Sequence, residues 1–144
     1  ETYEYVLENY GEDAIYDLPS ILRLSVDRIK QVEAVCGDKL TPMGVLSVCV
    51  NATLIGEEDE SSRFVRSAQE LLDSISVCDK YGINYQDGGM LFRNLASDIE
   101  DVVLACIDEG INYKDGGLVF SSSSNAIRAI VGICKKYNID YKNI

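Results

Sequence analysis

The chain has 144 residues, with 24 acidic and 13 basic side chains, a formal net charge of −11 and no histidine. That charge argues against a protein that grips a nucleic-acid backbone, which needs lysine and arginine to displace counterions. The missing imidazole excludes Ser-His and Cys-His nucleophile pairs and any zinc site built on histidine, while 47% hydrophobic residues are enough for one packed domain or repeat array of this length.

Residues 1–16 set Tyr3, Val6, Leu7 and Tyr10 at helical spacing before Gly11 stops the pattern. The stretch VLENYGED at 6–13 resembles VCDKYGIN at 77–84, so the chain opens on a capping helix or on the second half of a repeat. A first unit covers 17–37. Pro19 suits a helix start, Ile21, Leu22 and Leu24 supply a short inner helix, and Ile29, Val32 and Cys36 mark one face of an outer helix.

The second unit, 38–86, is longer than its neighbours. Thr41-Pro42 begins a helix through Val45, Leu46, Val48 and Cys49. An acidic loop follows at 56–62, including Glu57–Glu60. A long amphipathic helix is then expected through Phe64, Ala68, Leu71, Leu72, Ile75 and Cys78.

The last two units, 87–114 and 115–144, begin with stretches of 28 residues that align without a gap, and ten of those positions are identical. Average composition would give about two. The shared residues include the Asp-Gly-Gly opening, Phe92/Phe120, Ile99/Ile127, Val103/Val131, Cys106/Cys134, Ile111/Ile139 and Tyr113/Tyr141. Each unit reads as a turn, a very short inner helix, an outer helix ending at Gly110 or Asn138, and an extended link. Self-similarity at this period predicts stacked supersecondary units. Within it Cys78, Cys106 and Cys134 recur in phase, as small core residues would, and no CxxC is present. That usage predicts free thiols in a reducing, cytoplasmic compartment. No apolar run approaches the ~18 residues a membrane span requires, and no signal peptide is present. The chain opens on Glu1 rather than Met, as a trimmed or excised chain would.

The stretch LTPM at 40–43 is similar to the Thr-Pro-Leu that opens an ankyrin inner helix. The stretch VVLACIDEGINYKDGG at 102–117 resembles an ankyrin outer helix and hairpin. Ile83-Asn84 and Ile111-Asn112 stand in the Val-Asn place, and Asp87 and Asp115 stand at the hairpin tips. The resemblance covers most of 17–142. It departs in unit length, 28 against about 33 residues, and in lacking the family's His and Gly-His turn. Tetratricopeptide-type arrays fit less well, because their helices are longer and lack the extended link. The resemblance implies an all-α, ankyrin-like solenoid of about four stacked helix–turn–helix layers, with 1–16 as cap or partial repeat.

No catalytic, cofactor or metal site is expected. The Asp-Gly-Gly turns lack GxxxxGK[ST] and GxGxxG, and the acidic loop lacks calcium-loop spacing. The resemblance implies instead that partners dock on the inner helices and hairpin tips. The expected tip contacts are Asp38, Lys39, Tyr85, Gln86, Asp87, Tyr113, Lys114, Asp115 and Tyr141, with Arg93 and Asn94 on a short inner helix. Tyrosines at successive tips either make partner contacts or stiffen the hairpins by packing on one another. The acidity favours a protein partner with a basic surface. Expected roles are a generic interaction scaffold, a small inhibitor such as a toxin-immunity protein or a viral or phage antagonist, or an acidic nucleic-acid mimic that blocks a DNA- or RNA-binding protein. A monomer is expected in the unbound state, without direct contact to nucleic acid or membrane.

Overall fold

In the computed structural model, which describes residues 1–54, 65, 66 and 68–141, one local backbone pattern occurs four times. A short 3-10 helix (Pro19–Arg23, Gly37–Lys39, Met90–Arg93, Leu118–Ser121) leads through two extended residues into an α-helix. The extended pairs nearly superimpose in φ and ψ. Leu24 has −99° and 157°, Asn94 −99° and 151°, and Ser122 −113° and 156°. The second residue of each pair is the helix N-cap. Ser25 and Ser123 accept hydrogen bonds from the N–H groups of Arg28 and Ala126, which satisfies one of the unpaired donors that open any helix. Leu95 has no side-chain oxygen to offer. There the Glu70 carboxylate, reaching across from the preceding helix, accepts from Ala96 N at 2.7 Å.

Among the described residues the chain forms seven α-helices packed in chain order: α1 (Thr2–Tyr10), α2 (Glu12–Asp17), α3 (Val26–Cys36), α4 (Pro42–Asn51), α5 (Ala68–Tyr81), α6 (Ala96–Glu109) and α7 (Ser124–Lys136). Among the described residues the fold is all-helical apart from a two-residue parallel pairing of Thr53–Leu54 with Val65–Arg66. That pairing corrects the expected start of the long helix. The helix begins at Ala68, and the β-branched Val65 lies in extended backbone just before it. Phe64 and the acidic loop Glu57–Glu60 lie outside the described residues.

The helices exit alike as well. Ile83 N bonds to Cys78 O, Ile111 N to Cys106 O and Ile139 N to Cys134 O, at 2.8–2.9 Å. Each bond reaches back over a residue with positive φ: Gly82, Gly110 or Asn138. The pattern satisfies the last helical carbonyls and turns the chain by the same amount each time.

Two rows of elements result. In one, Pro19–Arg23 packs on α4, α4 on Met90–Arg93, and Met90–Arg93 on Leu118–Ser121. In the other, α3 packs on α5, α5 on α6 and α6 on α7. Ile21, Leu46, Phe92 and Phe120 from the first row share one buried cluster with Ile29, Leu71, Ile75, Ile99 and Val103 from the second. Each of these large side chains contributes roughly 1.5–3 kcal/mol on burial. Cys36, Cys49, Cys78 and Cys106 are buried in the same cluster, and Cys134 is half-buried. At the amino-terminal side α1 packs on α2 and on Pro19–Arg23, and the Tyr5 and Tyr10 hydroxyls both donate to the Glu33 carboxylate on α3.

Burial pushes the Cys36 thiol up to about 11 and the Cys78 thiol up to about 12. Tyr5, which donates to Glu33, is also raised to about 12. In the unfolded chain the thiols titrate near 9 and the tyrosine near 10. The folded state therefore holds protons that the unfolded chain has lost. These groups contribute stability that is complete below about pH 8.5 and falls as pH rises through the folded values. Urea midpoints are expected to decline steadily between about pH 8.5 and about pH 12. A flat profile over that window would show that the thiols and phenols titrate alike in both states.

Candidate interaction surface

The links that join the two rows end in matching turns. Gly88 N bonds to Tyr85 O at 2.8 Å and Gly116 N to Tyr113 O at 3.2 Å. Asp at the third turn position and a glycine with φ of +77° or +68° at the fourth close each turn. The Asp115 carboxylate also accepts from Gly117 N at 2.9 Å, which stiffens the second tip.

Backbone bonds then tie neighbouring tips together. Thr41 N donates to Gln86 O at 2.9 Å, and Asn84 N donates to Lys114 O at 2.7 Å. The Thr41 hydroxyl lies 3.2 Å from the same Gln86 carbonyl and 2.9 Å from Asp87 Oδ1. The tips at 38–41, 84–87 and 112–115 therefore lie side by side along one edge. The approach at the first joint is close because Gly44 has no side chain. A Cβ there would sit 2.0 Å from Gln86 O.

The eleven sequence-predicted contacts divide under this geometry. Asp38, Lys39, Gln86, Asp87, Lys114 and Asp115 are exposed at the three tips. Arg93 is exposed on the adjacent 3-10 helix, and its Nε donates to Asn51 Oδ1 at 2.8 Å. Asn94 bridges two inner turns by donating to Phe120 O at 2.8 Å, so its amide joins neighbouring elements. Tyr113 and Tyr141 are half-buried.

Tyr85 is only 6% exposed and belongs to the core. Burial, aided by the nearby Asp79 carboxylate, pushes its phenol up to about 12. At this position the tyrosine presents little face to a partner. Met90 and Leu118, one repeat apart on the 3-10 helices, are 39% and 76% exposed. Both read in the sequence as part of the short apolar run after Gly-Gly. Their shared phase is the signal that pairs them, but nothing in a three-residue apolar run marks which member faces out.

Among the described residues no group of three or more His, Cys, Asp or Glu is placed to hold a metal ion, and no helix is long and apolar enough to cross a membrane. Comparison with protein-family models, curated proteins and solved structures finds no match.

Proposed function

We propose that the protein is a non-catalytic interaction module, an ankyrin-like helical-repeat solenoid that binds a basic protein surface through its aligned tips and inner row. The observation that carries this reading is the backbone bonding of successive tips, Thr41 to Gln86 and Asn84 to Lys114. That bonding holds polar side chains of three separate segments in fixed order along one edge. A rigid edge loses little conformational entropy on binding, which favours affinity from a modest area. Met90 and Leu118 on the inner row supply exposed apolar surface beside the polar tips. The acidic surplus across the whole chain steers a basic partner toward it.

A small inhibitor that occludes its target, of the toxin-immunity or antagonist kind, is the sharper form of the same proposal. The test is capture of a partner from the source cell, followed by binding of the purified pair. Asp38→Lys combined with Gln86→Lys reverses the tip charge without touching the core. It is expected to weaken binding by about tenfold or more, some 1.4 kcal/mol. Leu118→Asp is expected to weaken it further. Unchanged affinity in both variants would place the interface elsewhere. Competition by polyanions with a steep salt dependence would mark a nucleic-acid mimic instead.

A further inference from the structure

Helix α7 exposes the face that its counterpart α6 keeps covered. On α6 and its exit, Val102, Ala105, Cys106 and Ile111 are all buried. The residues 28 positions later behave otherwise. Ile130 is 41% exposed, Ile133 57% and Ile139 54%, and Cys134 is half-buried. The local backbone before the helix and the helix exit are alike in the two units. What differs is that α7 follows α6, whereas among the described residues no helix follows α7.

The charges say what would cover this face. α6 holds α7 through Asp108–Arg128 at 3.0 Å and Glu109–Lys135 at 3.1 Å. One repeat on, the places of Asp108 and Glu109 are taken by Lys136 and Tyr137. Helix α7 carries three basic and no acidic side chains; Arg128 and Lys135 are already paired with α6, which leaves Lys136 to meet a covering helix and favours an acidic one there. A symmetric pairing of two α7 faces would bring like charges together and is disfavoured. The opposite end of the molecule has the complementary character. Residues 1–17 carry six acidic and no basic side chains, and α1 exposes Tyr3 and Leu7, 52% and 39%, on a face shared with Glu4 and Glu8.

We propose that the α7 face of one molecule docks the α1 face of a second copy, head to tail. Ile130, Ile133 and Tyr137 would meet Tyr3 and Leu7, with Lys136 against Glu4 and Glu8. Such a contact is heterologous, so it propagates into an open chain unless its rotation closes a ring. The few side chains involved put it in the weak, concentration-dependent class. Opposite end charges orient the encounter although the whole molecules repel. The contact replaces the expectation of a monomer at high concentration.

Sedimentation of the full chain tests the proposal, from micromolar to about millimolar concentration. The average mass is expected to grow with concentration. Ile133→Glu and Leu7→Glu, both at exposed positions and checked for helical content by circular dichroism, are each expected to weaken association about tenfold or more. An equimolar mixture of the two variants is expected to recover a dimer and stop there, because each keeps one intact end. Lys136→Glu reads the charge contribution alone and is expected to weaken association as well. Wild-type protein that stays monomeric throughout overturns the proposal. So does growth that Ile133→Glu stops and Leu7→Glu does not, which would be an α7-to-α7 dimer, and so does a mixture of the two variants that forms no dimer.

Discussion

Gly44→Ala is expected to destabilise the protein by about 3 kcal/mol, lowering the melting temperature by about 10 °C. The direction is opposite to what helix propensity alone predicts. Gly44 lies within α4, where alanine is preferred over glycine by about 1 kcal/mol. Its ideal Cβ, however, would stand 2.0 Å from the Gln86 carbonyl oxygen and 3.1 Å from that carbonyl carbon. Those atoms are backbone, pinned by the bond from Thr41 N and by the turn that Tyr85 O and Gly88 N close. Relief requires moving the tip away from the helix, which breaks the joint between the first two tips. Gly132→Ala on α7 is the internal control. Nothing lies within 4 Å of the added Cβ there, so the same exchange is expected to stabilise by about 0.5–1 kcal/mol. Denaturant unfolding of the two variants decides the point. Equal shifts in one direction would mean that tip and helix are not in register as described.

Phe92→Ala is expected to cost about 3–5 kcal/mol in the same measurement. Phe92 is fully buried on the Met90–Arg93 turn, in the middle of the inner row. The cavity left by an aromatic ring between packed neighbours relaxes only in part. Leu22 holds the matching place on the Pro19–Arg23 turn, yet it is 39% exposed. Leu22→Ala is expected to cost about 1 kcal/mol, since part of its apolar area is already in water. If the two variants lost similar stability, the burial gradient along the row would be wrong.

The contrast between Phe92 and Leu22 shows where the sequence stops being informative. Phase is a local property. The spacing of Ile29, Val32 and Cys36, or of Ile99, Val102 and Cys106, predicts a helix and its buried face before any neighbour is known, and all six residues are buried. Ile127, Ile130 and Cys134 carry the same phase, yet Ile130 is exposed, because burial needs a covering element and phase cannot count neighbours. Capping is local in the same way, and Ser123 caps α7 as a residue of its type should. The long helix was not legible in this way. Its expected start gave way to the extended pairing of Val65–Arg66 with Thr53–Leu54, a contact between segments that helical periodicity does not register.

The candidate surface divides along the same line. Glycine, aspartate and tyrosine at a fixed offset specify turns by themselves, through conformational preference and a short hydrogen bond. The 28-residue period therefore determined that matching tips exist, and composition determined that they sit on an acidic protein. Tertiary packing decided which tip residues look outward. It drew Tyr85 into the core beside Asp79, set Asn94 to bridge two turns, and left Met90 and Leu118 exposed. These outcomes rest on distances between segments far apart in the chain, such as the approach of Gln86 to Gly44. No local preference encodes such a distance, because it is set by how tightly neighbouring elements pack.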